Sequence, residues 1–292
     1  MSTSPTRNVK IALIQSKCSA SIEENTYHQM GLIRQAAEQG AQVVVLQELF
    51  NAPYFPNVYD HRFFDWAEPL NGTLLSGMSS LAKELGTVLV IPFFEERMTG
   101  VYHNSAAVLD ADGTLLGVYR KLHIPDDPGF YEKYYFTPGD DSTGIPVFET
   151  QFGKLSVLIC WDQWFPELAR IAALKGAEIL CYPTAISLVV DEGKEEKRIH
   201  SEAWTTIQRS HAIANSVYVA AVNRVGKEKD SSFWGHSFVS GPFGQILAQA
   251  GEKEEVLLAS CDLDAIKKQR LNWPFFRDRR IDMYEDLIKR TV

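Results

Sequence analysis

The sequence predicts an α/β protein, a four-layer α-β-β-α sandwich in a single domain with internal pseudo-symmetry. Three observations predict it. Short apolar runs of strand length alternate with segments of helical period along the whole chain. Gln39-Gly40-Ala41-Gln42-Val43-Val44 is echoed by Lys175-Gly176-Ala177-Glu178-Ile179-Leu180, and two hairpins echo each other as well. No low-complexity linker separates the halves. Two similar β-rich halves, each carrying helices, pack most simply as two sheets face to face with helices outside. The core is expected over about residues 9–270, with 271–292 as a tail rich in Arg, Trp and Phe, of a kind that often packs on a partner subunit and otherwise lies on its own domain.

The elements follow in order. Val9-Lys10-Ile11-Ala12-Leu13-Ile14 reads as a first strand. Ser21 with Glu24 fits a capping box, and Ile22, Thr26, Met30, Ile33 and Ala37 recur at helical spacing up to Gly40. Val43 to Leu46 is a short, wholly apolar strand with Glu48 just past its end. A Pro- and aromatic-rich loop covers Asn51 to Trp66, and a helix over Leu74 to Leu85 leads into a strand from Val88 to Phe93. A hairpin pairs Ala106–Leu109 with Leu115–Tyr119 across the turn Asp110-Ala111-Asp112-Gly113 and delivers Arg120-Lys121 at its end. His123 to Gly144 is a long loop, and structureless stretches of that length in compact proteins usually carry function. The second half repeats the plan. A strand over Leu155–Ile159 stops on Cys160, then come a helix over Pro166–Lys175 and a strand over Glu178–Tyr182. A long helix spans Glu195–Asn215, with Ile199, Ala203, Ile207, His211 and Ala214 on one face. A strand over Val217–Val222 and a hairpin of Ser237–Ser240 with Gln245–Ala248 close the pattern.

Composition narrows the functional classes. The 292 residues are 45% hydrophobic and 23% charged, which is globular, and a net charge of -8 disfavours nucleic acid as a partner. Four cysteines, Cys18, Cys160, Cys181 and Cys261, lie far apart with no C-x-x-C pair, so neither a zinc cluster nor a disulfide framework is expected. Met1 to Asn8 has no apolar signal core, and no run is long enough to cross a bilayer, so a soluble cytoplasmic protein with reduced thiols is expected. No metal and no cofactor is expected. The seven histidines show no H-E-x-x-H, and no G-x-S-x-G, G-x-G or P-loop occurs.

Cys160 is the most informative position. A strand that stops on a cysteine and turns toward a helix presents the sulfur at a sheet edge, where clefts form. Most free cysteines are small buried hydrophobes. Glu48 and Lys121 change that reading, because each also follows an apolar strand. A thiol needs a base, which Glu48 supplies if burial raises its pKa. The carbonyl oxygen under attack needs a fixed positive charge, which Lys121 supplies with the Trp161 backbone N–H.

Leu46-Gln47-Glu48-Leu49-Phe50, Tyr119-Arg120-Lys121-Leu122-His123 and Leu158-Ile159-Cys160-Trp161-Asp162 resemble, in order and spacing, the Glu, Lys and Cys motifs of the nitrilase superfamily. The resemblance covers about Val9 to Met283 and implies the four-layer fold of that family. Glu132, in Gly129-Phe130-Tyr131-Glu132-Lys133, resembles the family's second glutamate, which holds the lysine and orients the substrate. The loop from His123 to Asp140, Cys160–Glu167, His211–Asn215 and Ala221–Gly226 are similar to the N-carbamoylputrescine amidohydrolase group of the superfamily. That likeness implies a small cationic carbamoyl-amine as substrate, cleaved through a carbamoyl-thioester to ammonia, carbon dioxide and putrescine, in a homo-oligomer serving polyamine synthesis. An ammonium calls for a carboxylate or an aromatic face. Asp127 and Asp191 are the candidate acids, and Tyr54, Tyr131, Trp161 and Ala185 candidate walls. Asp191 has a bland rival, since Asp191–Lys197 reads as a solvated charge run. The chain departs from the group's pattern after Ile186, with Ser187-Leu188-Val189-Val190 where glycine and then an acidic stretch stand.

Three alternatives remain. Another hydrolase of the superfamily, acting on carbamoyl amino acids or ω-amides, would need an Arg or Lys for the substrate's carboxylate. A Cys–His hydrolase would pair Cys160 with His123 or His211. An inactive binding or scaffold homologue would have no need for Glu48, Lys121 and Cys160 together.

Overall fold

The computed structural model describes residues 7–189 and 193–292. The first half runs β1 (Asn8–Gln15), α1 (Ile22–Glu38), β2 (Val43–Leu46), α2 (Thr73–Leu85), β3 (Val88–Met98), β4 (Val101–Leu109) and β5 (Leu115–Arg120). The loop that follows holds the short helix α3 (Glu132–Tyr135). The second half runs β6 (Phe148–Thr150), β7 (Gly153–Val157), α4 (Pro166–Leu174), β8 (Ile179–Pro183), β9 (Ser187–Val189), α5 (Lys194–Asn215), β10 (Tyr218–Val222), β11 (Val225–Glu228), β12 (Ser231–Trp234), β13 (Phe238–Ser240) and β14 (Ile246–Gln249). The chain then gives β15 (Glu255–Asp262) and α6 (Asp264–Asn272).

Two six-stranded sheets form, ordered β15-β1-β2-β3-β4-β5 and β6-β7-β8-β10-β13-β14. Read in those directions, both sheets have the same sequence of pairings: antiparallel, parallel, parallel, antiparallel, antiparallel. The pseudo-symmetry is therefore topological. The echoed segments both enter the middle strand of a parallel trio. Gly40 and Gly176 share a left-handed φ, of 84° and 100°, at the end of the preceding helix. The largest apolar cluster joins Ile11, Leu13, Val43 and Val90 of one sheet to Leu155, Val157, Ile179 and Val219 of the other. A second cluster seats α1 and α2 on the first sheet through Ile33, Ala36, Met78 and Leu81. Ala169, Ala172, Trp204 and Ala212, all fully buried, seat α4 and α5 on the second. These are the four layers. A small third sheet, β11-β12-β9, was not foreseen from the sequence, nor were β6, β15 and α6.

Two helix faces differ from expectation. The buried residues of α1 are Asn25, Gln29, Ile33 and Ala36, so the inward stripe sits one position back from Thr26, Met30 and Ala37. The reason is polar: Asn25 Nδ2 donates to the carbonyls of Ser19 and Asn51 (2.9 and 3.2 Å), and Gln29 donates to Ser16 Oγ. The Ser21 side chain caps α1 by accepting from Glu24 N, while Glu24 bonds to Ser19. On α5, Ile199 is exposed, and the inward residues are Ser201, Trp204, Gln208, His211 and Asn215. Trp204 Nε1 donates to Gln163 Oε1 at 2.7 Å, which turns the helix to that face. Among the described residues, no helix is long and apolar enough to cross a membrane.

Candidate active site

Strand ends bring the three sequence-marked residues together. Glu48 lies two residues past β2, in a turn where Leu49 has φ 48°. Lys121 immediately follows β5. Alternation along that strand sends Arg120 the other way, into a buried pair with Glu95 (Nε to Oε2 2.7 Å). The 121–139 loop closes back on the strand end, with Gly139 N donating to Lys121 O at 2.9 Å. Only a glycine fits there, because a Cβ would collide with the Arg120 carbonyl. β7 ends at Val157, two residues earlier than expected, and Cys160 opens a 3-10 turn, Cys160–Trp164, with φ 45°. A non-glycine residue in that region is strained and needs outside support.

Asp162, unmarked in the sequence, supplies the support. Its Oδ2 accepts from Ile159 N (3.0 Å) and Tyr119 OH (2.6 Å). Its Oδ1 accepts from the His123 backbone N (3.0 Å) and lies 2.8 Å from His123 Nδ1. A single buried carboxylate thus ties the cysteine turn to β5 and to the start of the long loop.

Lys121 is the centre of the set. Its Nζ donates to Glu48 Oε1 at 2.8 Å and to Glu132 Oε2 at 2.6 Å, with all three side chains removed from solvent. α3 holds Glu132 in place, and Tyr54 OH donates to its Oε1 at 2.7 Å. Asn104 Nδ2 also donates to Glu48 Oε1, at 2.7 Å. Glu48 Oε2 is buried with no hydrogen-bond partner, so one oxygen of that carboxylate is uncommitted.

Two carboxylates around one ammonium leave one negative charge in excess. Burial, helped by the charge of Glu48, pushes the Glu132 carboxyl up to about 7 against the opposing pull of Lys121. Lys121 stays firmly protonated, because Glu132 and Glu48 outweigh its own desolvation. Burial and the Glu48 charge raise the Cys160 thiol well above its ordinary value, while Lys121 and a hydrogen bond from the Ala185 backbone N–H pull the other way. The thiol therefore rests neutral, and a nucleophile there has to be made by proton transfer.

Cys160 and Glu132 open onto a cavity of about 390 Å³ lined also by Trp161, Asp127, Ala185 and Trp234. Its walls are mostly apolar and aromatic. Among the described residues, the lining contains no lysine or arginine. Asp127 is exposed, on the solvent side of the cavity and not at a buried end. Tyr54 and Tyr131 are not wall residues. Tyr54 is buried behind Glu132, and the ring of Tyr131 stacks on Tyr59 with centroids 4.6 Å apart. Asp191 lies outside the described residues. A larger depression of about 800 Å³ on the outer face of α5, near Arg198 and Glu252, includes none of Glu48, Lys121, Glu132 and Cys160. Neither histidine of the Cys–His alternative acts on the sulfur: His211 Nε2 bonds to Gln163 O at 2.7 Å, and His123 is held by Asp162 and stacks on Phe165. Among the described residues, no group of His, Cys, Asp and Glu could hold a metal ion.

The family model for carbon-nitrogen hydrolases matches residues 10–271. The chain belongs to that family. As a carbon-nitrogen hydrolase it is 47% identical to an N-carbamoylputrescine amidase of Arabidopsis thaliana, over 97% of this chain and 96% of the relative. It is 38% identical to a citrullinase of Francisella tularensis, over 97% and 99%. The crystal structure of a carbon-nitrogen hydrolase from Helicobacter pylori G27 superposes with a TM-score of 0.94 at 46% identity, covering 98% of this chain and 100% of that one. The carbon-nitrogen hydrolase fold is thus the nitrilase sandwich that the sequence predicts. Asn104, Asp162 and Arg224, which shape its site, carry no local signal, because the partners that tie them to the rest of the site lie far away in sequence.

Proposed function

We propose that this hydrolase cleaves N-carbamoylputrescine to putrescine, ammonia and carbon dioxide, with Cys160 as nucleophile, Glu48 as general base and acid, and Lys121 as the charge that stabilises the oxyanion. Glu132 holds Lys121 and orients the substrate. The single observation that carries the substrate is the cavity beside Cys160: an acid, Asp127, on its solvent side, aromatic faces along its walls, and, among the described residues, no Lys or Arg, with His200 the one histidine in the lining. An ammonium is favoured there and a carboxylate is not.

The arrangement of the site supports the following steps. The Cys160 thiol passes its proton to Glu48, whose Oε2 is uncommitted, as sulfur attacks the carbamoyl carbon. The carbonyl oxygen becomes an oxyanion, stabilised by Lys121 and the Trp161 backbone N–H. The carbon–nitrogen bond breaks as Glu48 returns the proton to the departing ammonia, leaving a carbamoyl-thioester on Cys160. Water, deprotonated by Glu48, attacks that carbon, and the freed sulfur recovers its proton. The released carbamic acid then loses carbon dioxide to give the diamine.

Citrulline is the sharper competitor. It is the same ureido chain with one added carboxylate beside the amine, and a 38% identical relative is named for it. The test is ammonia release from N-carbamoylputrescine, citrulline and N-carbamoyl-β-alanine side by side, with Cys160→Ala as blank. Turnover of the first in clear preference supports the cationic pocket. Equal or better turnover of either carboxylate-bearing substrate overturns it.

A further inference from the structure

The hydrogen bonds around Glu48 end on a residue of the opposite half. Arg224 sits between β10 and β11 and is completely buried. Its Nη2 donates to the backbone carbonyls of Glu48 and Leu49, both at 2.9 Å, and its Nη1 to the carbonyl of Ala52 at 3.1 Å. The same Nη1 donates to Glu228 Oε1 at 2.7 Å. The other oxygen of Glu228, Oε2, accepts from Tyr54 N at 2.6 Å. The guanidinium also lies over the Phe233 ring, 5.3 Å from its centroid. These bonds span the 48–52 turn at the point where Leu49 takes a left-handed φ.

We infer that Arg224 is a positioning residue for Glu48, fixing from the second sheet the turn that aims the carboxylate at Cys160. This rests on the reading of Glu48 as the base. A buried charge is retained at a cost and needs partners of matching geometry. Here the partners are the carbonyls of Glu48, Leu49 and Ala52 in the turn and one carboxylate, a spread of acceptors that the two ends of a guanidinium fork reach together and a single ammonium does not. The contacts reach Glu48 through its main chain, so they set where its side chain starts. Asn104 and Lys121 then fix only one of its oxygens. A shift of about 1 Å in a catalytic group costs up to about a hundredfold in rate.

The test compares Arg224→Lys, Glu228→Gln and Glu48→Gln. For each, kcat and KM for N-carbamoylputrescine, the rate of Cys160 alkylation by iodoacetamide, and the melting temperature are measured. Arg224→Lys is expected to lower kcat by about thirtyfold and the alkylation rate in parallel, with KM changed less than about threefold, because the cavity walls stay in place. Glu228→Gln keeps the guanidinium and its carbonyl bonds but loosens its anchor, and is expected to show the same split at about three- to tenfold. A folded Arg224→Lys enzyme with kcat within about twofold of the wild type, or one in which KM rises as much as kcat falls, overturns the inference. If Arg224→Lys does not fold, Glu228→Gln decides by the same split. Full activity in Glu48→Gln would instead sink the reading of Glu48 as base, and is thereby distinguishable from failure of the clamp alone.

Discussion

Replacing Lys121 by methionine keeps the unbranched side chain but for its terminal ammonium, and the structure fixes what is left behind. Glu48 and Glu132 then face each other across the space of a former ammonium that sat 2.8 and 2.6 Å from them, both out of reach of solvent. Breaking such a buried arrangement from one side costs about 3–5 kcal/mol while the stranded charges remain ionised. The cost is pH-dependent. Protonating a carboxylate relieves it, at about 1.4 kcal/mol per pH unit below the group's pKa. Glu132 already sits at about 7 with the lysine present, and losing Lys121 pushes it further up. A carboxyl whose folded pKa is raised favours the fold below its unfolded pKa and loses that contribution as pH rises through the folded value. The variant is therefore expected to melt near the wild type at about pH 5 and well below it at about pH 8.5. On the proposed mechanism catalysis is expected to suffer at every pH, because the oxyanion loses its fixed charge. The expected fall in kcat is about a hundred- to thousandfold. Ammonia release across pH and paired thermal melts check both arms. A kcat within about tenfold of the wild type, or a melting difference that does not grow with pH, would refute the argument.

Three further outcomes follow from the same geometry. Asp127→Asn is expected to raise KM for the cationic substrate by about two- to fivefold, the worth of an exposed ion pair, while a neutral amide is unaffected. Equal effects in steady-state kinetics on both would remove Asp127 from amine recognition. Glu132→Gln removes a group whose pKa is about 7 when folded and about 4.5 in the unfolded chain, so the fall in wild-type stability between those values should flatten in the variant. Melting temperatures in closely spaced buffers read that slope, and an unchanged slope assigns it elsewhere. Asp162→Asn keeps an acceptor but puts an amide where four donors or ring contacts converge, so it is expected to cost about 1–3 kcal/mol and to slow alkylation of Cys160. Denaturant melts with iodoacetamide kinetics test it, and normal kinetics in a destabilised variant would leave Asp162 with the fold alone.

The parts of the site that were legible in the sequence are those that end strands. Glu48, Lys121 and Cys160 each follow an apolar run, and strand ends share an edge, so their convergence follows from topology. Glu132 was legible only by likeness to a family, because α3 is one turn of helix inside a loop of prolines and aromatics. Tyr54 was taken for a wall of the cavity, yet its hydroxyl serves Glu132, a bond that spans 78 positions in sequence. Arg224 and its carbonyl partners are 172 to 176 positions apart, and nothing in Asn223-Arg224-Val225 announces them. The same blindness explains the helix faces. Asn25 and Gln29 look like surface residues by polarity, and only their distant partners draw them inside. The faces of α1 and α5 were read from apolar spacing, and polar contacts decided them.

The two matched sheets have a consequence for how the chain becomes reactive. Glu48, Lys121 and Asn104 arrive with the first sheet, Cys160 and Arg224 with the second. On the proposed mechanism, a half-folded chain thus carries a thiol without its base, or a base without its thiol, and is expected to hydrolyse nothing in passing. Turnover begins only when both halves have closed on each other, which makes ammonia release a direct report of their union. Two separately expressed fragments, divided in the exposed 140–142 segment, would each be silent and would turn on together as they combine.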